Sequence, residues 1–298
     1  MTNGQGGAVF LLTDYGDQDE FAGVTRAVVL RQAPRATLVD LTHAIPPFDV
    51  RAGALTLSRS VAHLGPGVVI AVVDPGVGSD RRAVALTVSG DSGPRHLVGP
   101  DNGLLCWAAD VLGGVTAAVV LTPPTPTPPT PTGTGGPRVS PSRGRGSFDG
   151  RDLFAPVAAR LWLGASLLDV GLPVDPGSLV RLAPPRREVS AGTIETEVLW
   201  VDRFGNVQLA ARAEDAVEAG LGEVVAIGIG GTGTEGSGTG GRTRVGRRVG
   251  WFGALGRDEV GLLVDANGQL ALVCHRRPAA TVLGVRAGEM IRLGSTGS

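Results

Sequence analysis

Cysteine is scarce in this sequence, with only Cys106 and Cys274 among 298 residues, and the two lack the spacing of metal ligands. This argues against a disulfide framework and a structural zinc site, and it favours a reducing compartment. The chain also lacks an apolar run near the roughly 18 residues that a membrane helix needs. Its first residues lack the basic and apolar segments of a secretory signal. We therefore expect a cytoplasmic protein with no membrane partner.

Charge is also modest, because charged residues make up 18% of the chain and the formal net charge is −1. Such a balance gives no electrostatic reason to expect a nucleic-acid partner. Hydrophobic residues make up 42%, which is typical of a globular chain and not of a disordered one. The length suffices for one large domain or two ordinary domains.

Strand-like and helix-like segments alternate in the first half of the chain. Short apolar runs predict strands at 8–13, 36–41, 68–73, 83–88 and 96–98. Apolar residues at helical spacing predict helices over 17–32, 49–63 and 104–112. This alternation predicts an α/β N-terminal domain over 1–185 with a mainly parallel central sheet.

The middle of this domain is interrupted by residues 122–146, which are rich in proline and threonine and then in glycine. Such a segment cannot bury a core, so we predict a solvated loop. A helix is predicted to resume over 147–163. Residues 171–182 are expected to be irregular, and 186–188 are expected to be a linker.

The pattern changes to strands beyond residue 189. Strands are predicted at 193–201, 207–210, 223–229, 260–264 and 270–274, with little helix between them. We therefore predict a smaller, mostly antiparallel β domain over 189–298. Residues 230–248 are predicted to be a glycine-rich loop. The G-x-G-x-x-G match at 228–233 is interpreted as noise, because no helix opens after it.

One stretch organises the chain, namely the buried strand 68–73 and the loop that follows it. The strand ends at Asp74, Pro75 and Gly76, and a carboxylate at the carboxyl end of such a strand is where open α/β sheets place ligand chemistry. Arg81 follows across the loop, so Asp74 and Arg81 could converge on one small site. A surface ion pair that caps the turn is the alternative.

Six motifs occur in a fixed order, namely LLTDYG, DLTH, AVVDPGVGSDRR, GPDNGLL, FDGRDLFAP and VDRFGNV. Together they closely resemble the S-adenosyl-L-methionine (SAM) hydroxide adenosyltransferases, also called SAM hydrolases, which are relatives of fluorinase and chlorinase. The resemblance covers nearly the whole chain apart from the two low-complexity loops. It implies cleavage of SAM by water into adenosine and methionine, with no metal or other cofactor. It also implies a homotrimer whose SAM sites lie between neighbouring subunits.

The resemblance also implies roles for individual residues. Asp74 and Arg81 match two members of the family's catalytic Asp-Arg-His set, but Asp149 replaces the histidine. Asp14 matches the carboxylate that holds the ribose hydroxyls, and Phe48 stands where an aromatic ring packs on the adenosine.

The remaining substrate-binding candidates of the resemblance lie mostly in the second domain. Asp202 matches a residue that binds the methionine ammonium, and Asn206 and Phe252 match the adenine pocket. His275 stands where asparagine is common. The set is completed by Asn102 and Phe204.

The implied chemistry agrees with these residues, since attack at ribose C5′ expels neutral methionine and demands no general acid. A carboxylate can orient and deprotonate water, whereas it would repel a halide anion. Three alternatives stay open: a SAM-binding or adenosine-binding protein without activity, a chlorinase-like halogenase, and a metal-dependent hydrolase of phosphorylated nucleosides that uses Asp14, Asp17 and Asp19. Asp149 could instead cap the helix that follows it, and His43 is interpreted as a structural histidine.

Overall fold

The computed structural model describes residues 7–90, 95–122, 147–230 and 241–296. The chain divides into two compact units, Met1–Leu182 and Ala183–Ser298. The predicted loop 122–146 and the glycine-rich stretch therefore lie mostly outside the described residues. No helix in the described ranges is both long enough and apolar enough to cross a membrane.

The first unit is built on a seven-stranded sheet in the order β2-β1-β3-β5-β4-β6-β7. Its strands are β1 (Ala8–Thr13), β2 (Thr37–Thr42), β3 (Gly67–Val72), β4 (Ala83–Val88), β5 (Arg95–Pro100), β6 (Val115–Leu121) and β7 (Gly171–Val174). Its helices are α1 (Phe21–Gln32), α2 (Val50–Val61), α3 (Cys106–Val111) and α4 (Ala155–Trp162), and α4 is preceded by a π-helical turn over Gly150–Phe154.

The prediction of a mainly parallel sheet is wrong. Strands β2, β1, β3 and β5 are parallel to one another, but β4, β6 and β7 join the sheet through antiparallel pairings. Strands β4 and β5 are antiparallel neighbours joined by a short connection, whereas parallel neighbours need a long crossover. Strand β7 is also antiparallel to β6, although α4 lies between them in the chain.

Alternating side chains of the central strands belong to two hydrophobic cores, one on each face of the sheet. Val9 and Leu11 of β1 pack with the core that includes α1 and α4, whereas Phe10 and Leu12 pack with the core that includes α2 and α3. Every residue from Val68 to Val73 is at most 3% exposed. This confirms the prediction that 68–73 is buried on both faces.

The second unit is an eight-stranded sheet that closes on itself, since β10 pairs with both β14 and β9. Its strands are β8 (Arg187–Ser190), β9 (Thr193–Val201), β10 (Val207–Arg212), β11 (Val224–Ile229), β12 (Arg242–Arg248), β13 (Val260–Val264), β14 (Gln269–Cys274) and β15 (Met290–Ser295). Two short helices accompany them, α5 (Ala213–Glu218) and α6 (Ala279–Leu283). All described pairings except β12 with β13 are antiparallel, which confirms the mostly antiparallel prediction.

Several local predictions need correction. Helix α1 begins at Phe21 and not at residue 17. The stretch 171–182 is not wholly irregular, because its first four residues form the edge strand β7. Arg187 and Glu188 belong to strand β8 and not to a linker. The stretch 242–248 is strand β12 and not loop, because its backbone pairs with β11 and β13 although its side chains are mostly polar.

Candidate active site

The loop after β3 folds back on itself and returns Arg81 to Asp74. The hydroxyl of Ser79 donates to the carbonyl of Gly76 over 2.6 Å, and the amide of Arg81 donates to that hydroxyl over 3.3 Å. The amide of Gly76 donates to Asp74 Oδ1 over 3.2 Å. Gly78 takes a φ of 79°, a conformation that glycine adopts without a steric penalty. These local bonds bring the two ends of the loop together.

Asp74 and Arg81 form a buried ion pair. Arg81 Nε lies 3.0 Å from Asp74 Oδ1 and 2.9 Å from Oδ2, and Arg81 Nη2 contacts the same carboxylate. The Asp74 side chain is 5% exposed and the Arg81 side chain is 13% exposed. A pair this well shielded and this well hydrogen-bonded differs from the surface pair that was the alternative.

The same guanidinium holds Asp149, which arrives from a distant part of the chain. Arg81 Nη2 contacts Asp149 Oδ2, and the Asp149 side chain is 19% exposed. Although Asp149 directly precedes the π-helical turn, its carboxylate makes no capping hydrogen bond in the described part of the chain. Helix capping therefore does not explain Asp149. We call Asp74, Arg81 and Asp149 the carboxylate–arginine cluster.

The cluster keeps its arginine charged. Burial lowers the pKa of Arg81, but the hydrogen bonds and negative charges of Asp74 and Asp149 outweigh burial and raise that pKa. The guanidinium carbon also lies 5.5 Å from the ring centroid of the fully buried Phe154. Arg81 is thus a permanent and well-oriented cation between two carboxylates.

Asp14 lies at the same edge of the sheet as Asp74. It follows β1 as Asp74 follows β3, and these two strands are parallel neighbours, with Thr13 opposite Val72. Asp14 Oδ2 accepts the amide of Phe48 over 2.9 Å. Phe48 has a φ of 67° and is 70% exposed. A phenylalanine held in a left-handed conformation with its ring in solvent is a costly arrangement of the kind found at ligand sites.

Asn102 supports this edge from inside. Its amide nitrogen donates to the carbonyl of Val73 over 2.9 Å, and its oxygen accepts the amide of Leu104 over 3.1 Å. Both polar ends of the Asn102 side chain are therefore used in hydrogen bonds to the backbone, one of them to Val73, which precedes Asp74. The adjacent Asp101 forms a separate ion pair with Arg82.

Sequence reasoning missed Tyr15, whose hydroxyl lies next to the backbone of Gly150, the residue that follows Asp149. Its ring contacts those of Phe21 and Phe148 at centroid distances of 5.9 Å and 5.6 Å. A Cβ placed on Gly150 would lie 2.1 Å from Tyr15 Oη, so the hydroxyl points at the backbone next to Asp149. Burial raises the pKa of Tyr15, and the charges of Asp14, Asp74 and Asp149 raise it further, against a smaller opposing effect of Arg81. The available signal was that this is the only tyrosine in the sequence and directly follows Asp14.

In the second unit, Asp202 organises a tight turn. Its Oδ1 accepts the amides of Phe204 and Asn206 over 2.8 Å and 2.9 Å, and its Oδ2 accepts the side-chain amide of Asn206 over 2.8 Å. Gly205 is required here because it has a φ of 82° and an added Cβ would lie 2.3 Å from Pro278. The turn leaves Phe204 72% exposed.

The other two candidates of this unit lie in different turns. Phe252 begins a short 3-10 helix after β12 and is 48% exposed. His275 follows β14 and is half-buried, at the start of the turn that leads to Pro278. Through Pro278 that turn packs on Gly205, and the amide of Ala280 donates to the carbonyl of Gly205 over 2.9 Å.

His43 joins an internal chain of polar groups. Its Nδ1 lies 2.8 Å from Thr13 Oγ1, and its Nε2 lies 3.1 Å from Asp40 Oδ1, although the approach to Asp40 is too poorly aligned for a hydrogen bond. These contacts agree with the interpretation of a structural histidine. Within the described ranges, no three His, Cys, Asp or Glu side chains are arranged to hold a metal ion. Asp14, Asp17 and Asp19 therefore do not form the acidic cluster considered from the sequence.

Comparison with known proteins assigns both units. Residues 9–171 match the model of the SAM hydroxide adenosyltransferase N-terminal domain, and residues 196–292 match that of the SAM hydroxide adenosyltransferase C-terminal domain. The chain belongs to the SAM hydroxide adenosyltransferase family. The resemblance inferred from the six motifs is thus confirmed.

Individual relatives agree with this assignment over most of the chain. An (R)-S-adenosyl-L-methionine hydrolase of Salinispora tropica is 42% identical over 285 residues, which cover 94% of this chain and 95% of the relative. A protein of the same name from Salinispora arenicola is 52% identical over 199 residues, covering 67% and 70%. A fluorinase of an Actinoplanes species is 26% identical over 236 residues, covering 72% and 74%.

The fold of this chain is also found among solved structures. An uncharacterized conserved protein from Thermotoga maritima superimposes with a TM-score of 0.79 and 28% identity, covering 96% of this chain and 99% of that one. The two-unit architecture is therefore shared with a solved structure that covers nearly the whole chain.

Proposed function

We propose that this protein hydrolyses SAM to adenosine and L-methionine by in-line attack of water at ribose C5′. The observation that carries the proposal is the carboxylate–arginine cluster, which lies at the carboxyl edge of the parallel strands in a member of this family. Two acidic groups held by one arginine supply a base for water, and the arginine offsets part of their negative charge.

The reaction needs little from the protein beyond a base and correct alignment. The water oxygen forms a bond to C5′ while the bond between C5′ and sulfur breaks, and its electron pair goes to sulfur. Methionine leaves as a neutral thioether, so no proton has to be delivered to it. The proton lost by the water passes to a carboxylate and then to solvent. Holding water and substrate in line supplies much of the remaining rate acceleration.

The contacts favour Asp149 as the base. Asp74 uses both oxygens on Arg81 and also accepts the amide of Gly76. Asp149 contacts Arg81 through Oδ2 only, and among the described residues its Oδ1 has no hydrogen-bond partner. Asp149 is also the more exposed carboxylate of the two. In this proposal Asp74 orients Arg81, Arg81 holds Asp149, and Asp149 Oδ1 receives the proton.

Substrate binding in the first unit is proposed to use Asp14 and Phe48. The Asp14 carboxylate accepts only the Phe48 amide among its described contacts, which leaves acceptor capacity for ribose hydroxyls. The exposed Phe48 ring offers a flat surface for the adenosine. Asn102 acts through the backbone of Val73 and not by contact with substrate.

The second unit is proposed to complete the site of a neighbouring subunit in a homotrimer. Asp202 would bind the methionine ammonium, with the adenine pocket formed by Asn206 and Phe252 and bordered by Phe204 and His275. The support is the family's assembly together with the exposure of Phe204 and Phe252, which are large aromatic side chains left in solvent by this unit. Light scattering on active protein tests this, and a monomeric mass would contradict it.

We further propose that the preferred substrate is the (R) epimer at sulfur, because two relatives carry that epimer in their names. The test is to supply each sulfonium epimer separately and to compare kcat/KM. Equal values for the two epimers would contradict the preference.

A cytoplasmic location without a metal requirement completes the proposal. Its support is that Cys106 and Cys274 are both buried and unpaired, as is usual in a reducing compartment. Activity that survives extensive treatment with a chelator is the expected result.

The decisive experiment incubates purified protein with SAM in oxygen-18-labelled water and separates the products by chromatography with mass detection. We expect adenosine that carries one labelled oxygen at C5′, together with methionine. Intact SAM recovered from a tightly binding preparation would indicate a binding protein without activity. 5′-Chloro-5′-deoxyadenosine formed in chloride buffer would indicate a halogenase, and loss of turnover with chelator would indicate a metal-dependent hydrolase.

A further inference from the structure

Tyr15 brings a third kind of group to the carboxylate–arginine cluster, a neutral hydroxyl. Its ring is held on one side by Phe21 and on the other by Phe148, and these two rings contact each other at a centroid distance of 5.1 Å. Phe148 immediately precedes Asp149. The aromatic packing that fixes Tyr15 is therefore covalently linked to the proposed base.

The direction of the hydroxyl is set by Gly150. A Cβ at this position would lie 2.1 Å from Tyr15 Oη and 3.1 Å from its Cζ, so the phenol fills the space that a side chain on residue 150 would occupy. The hydroxyl is thus next to the backbone of Asp149, and no described residue forms a hydrogen bond with it. An unpaired hydroxyl beside a reactive site is available to a small polar molecule there.

We propose that Tyr15 Oη makes the second hydrogen bond to the attacking water, whose first is made to Asp149 Oδ1. Water held at both hydrogens directs a lone pair away from the protein and toward C5′, which is the alignment that in-line displacement requires. The inference deepens the proposed function and rests on it.

The charges around Tyr15 keep it suited to this task. Asp14, Asp74 and Asp149 face the phenol from the ends of β1, β3 and the segment before α4, and Arg81 is the cation among them. Burial disfavours the phenolate most, and the net negative charge of these groups disfavours it further. The group therefore stays a neutral hydrogen-bonding partner and does not compete with Asp149 for the proton of the water.

The kinetic test is Tyr15→Phe, which keeps the ring and its packing. Loss of one hydrogen bond to the attacking water predicts a fall in kcat of about tenfold with little change in KM or melting temperature. The matched control is Thr116→Val, which also removes one hydroxyl, here an exposed one that donates to the carbonyl of Thr87 over 3.0 Å and is no part of the carboxylate–arginine cluster or of the aromatic packing around Tyr15. We expect it to leave kcat within about twofold. An unchanged kcat in Tyr15→Phe, with an active parent protein, would overturn the inference, whereas an inactive parent would overturn the proposed function.

The position of Tyr15 Oη can be tested without an activity assay by two substitutions that change one steric contact. Gly150→Ala should be strongly destabilised because its methyl group meets Tyr15 Oη, and Tyr15→Phe should relieve much of that loss because the closest atom is removed. Additive effects of the two substitutions on the melting temperature would contradict the placement of Oη.

A spectroscopic measurement completes the test. Because the chain has one tyrosine, tyrosinate absorbance reports on Tyr15 alone. We expect ionisation at a pH above that of free tyrosine in the parent and at a lower pH in Asp149→Asn. Identical titration curves for the two proteins would place the hydroxyl away from Asp149 and overturn the inference.

Discussion

Each unit of the molecule contains a turn that begins with an aspartate and returns through glycine, but the two turns use the carboxylate differently. In the loop after β3, both carboxylate oxygens of Asp74 accept hydrogen bonds from the guanidinium of Arg81, and only one local backbone amide donates to Asp74. In the turn after β9, Asp202 accepts two backbone amides and one side-chain amide from its own turn. The first carboxylate holds a charge in place, and the second shapes a turn.

The two turns therefore serve different purposes, one in the reaction and the other in exposing a side chain. The loop of Asp74 fixes a buried charge arrangement in which Asp149 keeps one oxygen unpaired among the described residues. The turn of Asp202 instead leaves Phe204 exposed beside a hydrogen-bonded backbone. Substitutions in the first unit should therefore change the rate of reaction more than substitutions in the second unit, which should act on folding and affinity.

The largest effect is expected for Asp149→Asn. Asparagine cannot accept the proton of the water, and general-base assistance is typically worth about 10² to 10⁴ in rate. Asp149 makes no capping hydrogen bond in the described part of the chain, and an asparagine oxygen can still accept from Arg81 Nη2, so the melting temperature should fall less than in Asp74→Ala. Steady-state turnover of SAM and thermal unfolding measure the two properties. Asp149→His, which restores the residue usual in the family, should retain or raise activity.

A neighbouring acid provides the control for this substitution. Asp152 pairs with Arg151 on the surface, and its side chain is 43% exposed. Asp152→Asn removes the same charge three residues away, and kcat should stay within about twofold because exposed pairs contribute little. If both variants lost activity equally, the role of Asp149 would be one of general charge and not of proton transfer.

The next effect compares the two turn aspartates directly. Asp74→Ala leaves a buried guanidinium with one carboxylate in place of two, and breaking a buried pair typically costs about 3 kcal/mol or more. Asp202→Ala removes three hydrogen bonds from a partly exposed turn, which should cost about 1 to 2 kcal/mol. Urea unfolding measures both losses. A larger loss for Asp202→Ala would reverse the comparison between the two turns.

A smaller effect separates the two possible roles of Asp202. Asp202→Asn keeps an oxygen for the backbone amides of Phe204 and Asn206 and loses only the bond from the Asn206 side-chain amide, so the melting temperature should fall less than in Asp202→Ala. It removes the negative charge proposed to meet the methionine ammonium, which should raise KM about tenfold at unchanged kcat. Kinetics with SAM over a range of concentrations test this, and an unchanged KM would leave Asp202 as a turn former only.

The sequence predicted best where one local signal was sufficient. Apolar β-branched runs predicted β1, β4, β9 and β13 with their observed bounds, because burial on a sheet selects such residues. Strand β12 was missed since Arg242, Arg244, Arg247 and Arg248 give it the composition of a loop. The antiparallel half of the first sheet was missed because strand order is a tertiary choice that the runs themselves do not encode.

The residues of the candidate site also differ in how far the local sequence could predict them. Convergence of Asp74 and Arg81 could be predicted because one short loop joins them. Asp149 required the family resemblance, since the stretch before it carries no packing signal. Tyr15 was out of reach because its importance depends on the backbone of Gly150 lying opposite its hydroxyl, a contact between segments far apart in the chain.

The smallest expected effect is a change in the free energy of unfolding at alkaline pH. It tests the charges around the Asp74 loop alone and does not involve the Asp202 turn. The pKa of Tyr15 is raised in the folded state from its ordinary value of 10.0. The folded protein therefore keeps a proton that the unfolded chain loses, so the stabilisation is complete below pH 10.0 and is lost as pH rises toward the folded-state pKa. Within that window the free energy of unfolding should fall by about 1.4 kcal/mol per pH unit.

Tyr15→Phe removes this proton, so its stability should fall less steeply above pH 10.0 than that of the parent. The sequence has no lysine and no second tyrosine, so few other groups ionise in the window. Burial also raises the pKa of Cys274, against a smaller effect of Arg277, but that contribution is common to both proteins. Urea unfolding at several alkaline pH values measures the two slopes. Parallel slopes would mean that Tyr15 ionises as freely in the folded protein as in the unfolded chain, and the negative surroundings inferred for its hydroxyl would be wrong.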